Sequence, residues 1–288
     1  MSEHAIVVGA GGAVGESAAR HLLAAGWRVG ASMRSAHTGA MVRLAAAGAE
    51  LSVLDLEKDA RGRFDGADAV ILTPILSLAV RAAPELARAE VKRVIAFSSN
   101  NVAVDPGAPT YVALAAAEAE LRAIIPHAII LRPTLIYGDP RQTALARLIA
   151  WARRVPMLPV PGSGRALQQP VFHDDLGAIA ASLAQGATHE GATFALGGPD
   201  VVSMRALFQA VVRAAGLPAF VTPTPRWLLA AGLSVMGERF PFDAAQIARV
   251  EQDRIAMAQT PVPEAFTPRT KLKEGLARLV DAMDAREP

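Results

Sequence analysis

The opening stretch of the chain constrains its fold more than any other. His4-Ala5-Ile6-Val7-Val8 is a short apolar run that stops at a glycine cluster, Gly9-Ala10-Gly11-Gly12-Ala13-Val14-Gly15. An apolar-periodic segment then runs to Ala25, and a second apolar run covers Trp27 to Ala31. In this order the pattern predicts strand, tight turn, helix and strand, which is half of a mononucleotide-binding βαβ unit. The glycines can be spaced as Gly9-x-Gly11-x-x-x-Gly15 or as Gly9-x-x-Gly12-x-x-Gly15, and only the second keeps an even three-residue step. Gly9 lets the chain turn sharply out of the strand, Gly11 or Gly12 leaves room for a pyrophosphate beside the backbone, and Gly15 lets the helix lie close on the sheet. The phosphates would rest on N–H groups at the helix N-terminus, around Ala13 and Val14.

The end of the second strand indicates which dinucleotide. A site for NAD places Asp or Glu about 20 residues beyond the glycines to hold the ribose 2′-hydroxyl, whereas Arg there suits the 2′-phosphate of NADP. No acidic residue lies between Glu16 and Glu50, and Arg34-Ser35 stands where the second strand should end. NADP is therefore the expected cofactor, ahead of NAD.

Composition narrows the remaining classes. At 288 residues the chain can bury a large core, and its net charge of +2 gives no reason to expect a nucleic-acid partner. The longest uncharged apolar runs, Ala69 to Val80 and Trp227 to Gly237, fall short of the ~20 residues of a spanning helix, and no secretory signal is expected. Zero cysteines exclude disulfide and thiolate chemistry and fit a cytoplasmic protein. The six histidines are scattered without metal-ligand spacing, so no metal is expected.

Beyond Arg34 the alternation continues. Helices are expected at Thr38–Ala47, Leu78–Ala89 and Tyr111–Ile125, and strands at Glu50–Leu54, Ala69–Leu72, Arg93–Phe97 and Ala128–Leu131. Continuous Val, Ile and Leu strands between helices imply an α/β fold, a doubly wound parallel sheet of Rossmann type. After Arg132-Pro133 the rhythm breaks into Pro- and Gly-rich connections, with short extended pieces at Pro170–Phe172 and Thr193–Leu196. The expected division is a dinucleotide-binding core over residues 1–135 and a smaller, mostly helical C-terminal substrate cap over 136–288, with a segment near 165–200 returning to the core. Trp227 to Met236 reads first as a core helix, with a lid or a membrane-surface helix as alternatives.

Several motifs taken in series resemble the extended or atypical branch of the short-chain dehydrogenase/reductase superfamily, the NAD(P)-dependent epimerase/dehydratase-like proteins. They are Gly9-x-x-Gly12-x-x-Gly15, Asp55-Leu56, Phe97-Ser98-Ser99, Tyr111, Leu131-Arg132-Pro133-Thr134-Leu135-Ile136-Tyr137-Gly138 and Pro170-Val171-Phe172-His173-Asp174-Asp175-Leu176. The resemblance spans Ala5 to about Leu183. It implies that Asp55, with Leu56, meets the adenine amino group, that Leu72, Thr73 and Pro74 flank the adenosine ribose, and that Ser98 and Pro133 lie near the nicotinamide. It also implies a small-molecule substrate and allows a homodimer paired through helices of the sheet domain. Asp174 and Asp175 read as helix caps, and His173 is shifted by one place from the family's His, a slot that Phe172 fills.

One departure bears on chemistry. In the family a Tyr acts as general acid/base, and a Lys one helical turn later lowers its pKa. Here Tyr111 is followed at that spacing by Ala115, and the only lysines are Lys58, Lys92, Lys271 and Lys273. A phenol without such help titrates at about 10. The assisting Ser of the family falls at Asn100, or at Ser99 if the register slips by one. Tyr111 thus either works with other help, Arg122 among the candidates, or is a relic. Arg132, Arg165, Gln168 and Gln169 are polar groups that could meet substrate. Two functions follow from the resemblance. One is an NADP-dependent oxidoreductase or epimerase-like enzyme acting on a carbonyl or alcohol, sugar nucleotides included. The other is a catalytically silent NADP-binding accessory or sensor protein resembling the nucleotide-binding subunit of respiratory complex I.

Overall fold

The computed structural model describes residues 3–34, 39–58, 60–141, 144–186, 189–237, 240, 242, 244, 247, 251–257 and 260–285. Ser35 lies outside them. The chain divides into two compact units, the first made of Met1–Pro133, His173–Leu196 and Ala256–Pro268, and the second of Thr134–Phe172, Gly197–Ile255 and Arg269–Pro288.

The first unit opens with β1 (His4–Val8), α1 (Ala13–Ala24), β2 (Arg28–Met33), α2 (Gly39–Ala46), β3 (Glu50–Val53) and β4 (Ala69–Leu72). The short helices α3 (Leu76–Ala79) and α4 (Ala83–Arg88) follow, then β5 (Arg93–Phe97), α5 (Asn101–Val104), α6 (Pro109–Ile124) and β6 (Ile129–Pro133). The chain returns to this unit for α8 (His173–Gly186) and β11 (Thr193–Leu196). All sheet pairings here are parallel, and the strand order is β11-β6-β5-β4-β1-β2-β3. The single helix expected over Leu78–Ala89 is instead α3, one tight turn at Val80–Ala82, and α4. Pro84 explains part of the break, because it sits at the start of α4, where its missing N–H costs nothing.

Both faces of the sheet are covered. Ile6, Val8, Val70, Leu72, Val94 and Ile130 pack on one side with Leu76, Leu86, Leu114 and Leu121, and Leu72 and Leu121 have no exposed surface. On the other side α1 and α8 lie against each other. Their approach depends on Gly177, where a Cβ would stand 2.5 Å from Ser17 Cβ and 2.8 Å from the Ala18 nitrogen. Asp174 fastens the same contact, with its carboxylate accepting from Ser17 Oγ and lying 3.3 Å from Arg20 and 3.4 Å from His21. Burial raises the Asp174 pKa, but the Ser17 hydrogen bond and the charges of His21, Arg20 and His173 outweigh it, so the group lies below the usual aspartate value. Asp174 therefore binds α8 to α1 rather than simply capping its own helix.

The second unit contains β7 (Ile136–Tyr137), α7 (Ala144–Ala152), β8 (Met157–Pro161), β9 (Leu167–Gln168) and β10 (Val171–Phe172). It continues with β12 (Val202–Ser203), α9 (Met204–Ala214), β13 (Phe220–Thr224), α10 (Arg226–Met236) and α11 (Leu272–Asp284). Its strands pair two by two, β7 with β10, β8 with β13 and β9 with β12. Pro159, Pro161 and Pro223 hide β8 and β13 from a propensity reading, since proline is tolerated only in such short edge pairings. Helices α7, α9 and α11 supply much of the core, with Leu145, Ile149, Leu207, Val211, Leu276 and Leu279 all at most 1% exposed.

The core-helix reading of Trp227 to Met236 is overturned. Leu229 is the one buried residue of α10, while Trp227 is 72% and Val235 86% exposed. Among the described residues no helix is long and apolar enough to cross a membrane.

Candidate functional site

Because the strands of the first unit are parallel, their carboxyl ends share one edge, and the order leaves β1 in opposite directions toward β2 and β4. That reversal is where open α/β sheets hold ligands. The glycine turn lies there. Gly9 has φ +80°, open to glycine at little cost, and its N–H donates to the Ser32 carbonyl of β2 at 2.9 Å. A Cβ on Gly9 would meet Thr73 Oγ1 at 2.6 Å, and a Cβ on Gly15 would meet the Gly9 carbonyl oxygen at 2.5 Å and Ala10 Cα at 2.9 Å. Gly12 is different. It is the N-cap of α1, and the nearest atom to an added Cβ is the Gly9 oxygen at 3.5 Å. Gly9 and Gly15 are thus needed by the protein itself, whereas Gly12 keeps space open in front of the helix. Helix geometry leaves the N–H groups of the first turn, at Ala13 and Val14, without acceptors inside α1. The turn therefore fits a diphosphate: open space, unsatisfied donors and the positive end of a helix dipole.

The other expected contacts follow the same edge. Arg34 is exposed directly after β2, and Asp55 follows β3 in a tight turn, accepting from the Glu57 N–H at 3.1 Å with Lys58 at 3.7 Å. Thr73 and Pro74 follow β4, with Thr73 Oγ1 donating to the Val8 carbonyl at 2.8 Å. Ser98 follows β5, and Pro133 is the last residue of β6, its carbonyl accepting from the Asn100 N–H at 3.0 Å.

Around Tyr111 the structure adds a residue that sequence reasoning missed. Tyr111 lies in the first turn of α6, 9% exposed, and its hydroxyl oxygen accepts from Asn101 Nδ2 at 2.8 Å. Ser99 Oγ accepts from the Asn101 N–H at 3.2 Å, and so starts the short helix that carries Asn101. Asn100 is 1% exposed and its side-chain oxygen accepts from the Met257 N–H at 3.0 Å, tying Ala256–Pro268 into this unit. The Asn101 signal in the sequence was its closeness to the Phe97-Ser98-Ser99 motif. A helical turn at 101–104 is what turns its side chain toward Tyr111.

Position 115 holds an exposed Ala, and one turn further along α6 stands the buried Glu118. Glu118 is paired with Arg132 of β6, whose Nε donates to Oε1 at 2.9 Å, and it also accepts from Ser98 Oγ at 2.5 Å. Arg132 is therefore committed to a buried ion pair within the sheet domain rather than to substrate. Arg122 is committed likewise: it donates to the Gly191 carbonyl at 2.6 Å and to Thr193 Oγ1, so it braces β11 and does not assist Tyr111. In the second unit Gln169 Nε2 donates to the Gly198 carbonyl at 2.8 Å, Arg165 is exposed, and Gln168 is 3% exposed. Among the described residues no three His, Asp or Glu side chains gather as a metal site requires.

No protein-family model and no curated protein matches this chain. Solved structures do match along nearly its full length. The Citrobacter sp. triphenylmethane reductase complexed with NADP(H) aligns with a TM-score of 0.73 at 19% identity, over 96% of this chain and 99% of that one. MoeE5 in complex with UDP-glucose and NAD aligns at 0.73 and 20% identity, over 98% and 99%. The Thermotoga maritima UDP-glucose 4-epimerase with UDP-glucose aligns at 0.74 and 15% identity, over 98% and 99%. At such identities the likeness speaks for the fold, and the chain has the fold of NAD(P)-dependent epimerase/dehydratase-like and short-chain reductase structures.

Proposed function

We propose that this chain is an oxidoreductase that binds a nicotinamide dinucleotide, NADP ahead of NAD, and acts on a carbonyl or alcohol carbon of a small molecule. The observation that carries the reading is the open N-terminus of α1 at the point where the sheet order reverses, with Gly12 facing space and Gly15 closed on Gly9. The N–H groups of Ala13 and Val14 would hold the diphosphate, the Arg34 guanidinium the 2′-phosphate, and Asp55 the adenine amino group. The dinucleotide supplies the hydride chemistry. Tyr111 would handle the proton at the substrate oxygen. Because its oxygen accepts from Asn101, the hydroxyl is oriented to give its own hydrogen to another acceptor. Among the neighbours MoeE5 is in complex with NAD and the triphenylmethane reductase with NADP(H), so the preference for NADP rests on Arg34 and on the missing acid.

A second reading, a silent NADP-binding sensor or accessory protein, is favoured by Ala115 and by the burial of Tyr111 in the sheet domain's core. The same gap also suits hydride transfer to a conjugated, strongly electrophilic carbon, where no oxygen needs a proton. Triphenylmethane dyes, named for the Citrobacter sp. triphenylmethane reductase, are acceptors on which to test this.

Thermal melts with NADPH, NADP, NADH and NAD, followed by NADPH oxidation with aldehydes, ketones, quinones and cationic dyes, separate these readings. We expect NADPH to give the larger shift and Tyr111→Phe to lower kcat on aldehydes about 100-fold or more, the usual scale of a general acid. Tight NADPH binding without turnover of any substrate favours the sensor. Stabilisation by NADH alone rejects the NADP assignment.

A further inference from the structure

We propose that the second unit contains its own binding site for a compact aromatic ketone or aldehyde, read by the buried side chain of Gln168. This goes beyond the redox reading and does not rest on it. A partly open hollow of about 70 Å³ lies within the unit, lined by residues of α7 and α9 and by Phe242. Leu145, Leu148, Leu207 and Phe208 make its walls apolar, and Phe208 and Phe242 stack at 6.0 Å with planes 9° apart, a flat surface suited to a third ring.

Gln168 also lines this hollow. It is 3% exposed, and its amide nitrogen is buried without a hydrogen-bond partner among the described residues. A buried donor left unsatisfied costs free energy, and native proteins seldom carry one without a ligand, water or function to answer it. Its backbone has little freedom to relieve this. Gln168 pairs with Val202 of β12 on one side and bridges to Arg254 on the other, while the Arg254 N–H donates to the Leu167 carbonyl at 2.7 Å. The side chain is thus fixed at the lining of an apolar hollow, with a buried donor that no described group answers. The ligand that answers both is flat, apolar and uncharged, with one carbonyl acceptor.

The test uses the full chain without any dinucleotide and compares acetophenone with ethylbenzene, which has nearly the same shape but no acceptor, by ligand-observed NMR titration. A buried donor that gains its acceptor is worth a factor of about ten, so acetophenone should bind about tenfold tighter. In Gln168→Met ethylbenzene binding should persist and the ratio should fall to about one. Equal affinities in the wild type, no saturable binding of either compound, or a ratio retained in Gln168→Met would each overturn the proposal. If Gln168→Met does not fold, the wild-type ratio alone decides. Benzoate is the third arm, because Arg254 also lines the hollow. Benzoate binding above acetophenone, lost in Arg254→Gln, would assign the site to an anion and overturn the ketone.

Discussion

The glycine turn at residues 9–15 and the stretch from Ser98 to Tyr111 lie on the same sheet edge, but they are built by different means. In the turn the chain's own backbone sets the geometry: Gly15 meets the Gly9 carbonyl with no room for a methyl, and no side-chain rearrangement can make any. In the second stretch, side chains set it: Asn101 reaches Tyr111, Ser98 and Arg132 converge on Glu118, and Asn100 reaches Met257. The first kind of constraint survives only with one residue type and so can be read from sequence. The second admits many solutions and shows itself only in three dimensions.

That contrast can be broken experimentally. The largest effect is expected for Gly15→Val, which should cost about 3 kcal/mol or more of stability in urea unfolding, because overpacking against backbone cannot relax. A cost under about 1 kcal/mol would show that the turn has slack after all. Gly177→Ala, where α1 meets α8, should cost about 1–3 kcal/mol, since part of the clash is with the movable Ser17 hydroxyl. Gly12→Ala sharpens the comparison from the other side. It should leave the unfolding midpoint almost unchanged and weaken NADPH binding about tenfold, measured by titration, if the space it keeps open is for phosphate. Arg34→Ser should reduce the NADPH over NADH preference by about tenfold, the scale of one charged hydrogen bond.

The smallest effect concerns acid. Asp174 titrates lower folded than unfolded, so its contribution is present above its ordinary value of 3.8 and lost as pH falls through the lower folded value. The stability difference between wild type and Asp174→Asn should therefore be present just above about pH 4 and shrink below it. A difference that stays flat down to acid unfolding would remove Asp174 as the clasp of α8.

Much of the sheet domain was legible because fully buried parallel strands are written as unbroken Val, Ile and Leu. Ala69–Leu72 and Arg93–Phe97 appear with the expected bounds. The glycine turn was legible for the reason given above. Asn101 was not, because its role depends on how a four-residue helix turns it toward a tyrosine ten positions on. Neither was the pairing of Arg132 with Glu118, since a sheet arginine and a helix glutamate carry no shared pattern in one dimension. In the second unit prolines concealed β8 and β13, and α10 shows that an apolar run does not guarantee burial.

Each compact unit is assembled from three separate stretches of chain, and Ala256–Pro268 is the last that the sheet domain takes back. A single crossover with a distant homologue, wherever it falls between Pro133 and Pro268, therefore leaves at least one unit with segments from two ancestries. Exchange of ligand preference in this architecture consequently favours point changes inside a unit over wholesale shuffling of halves, and a chimera library cut at one junction should be depleted of folded members.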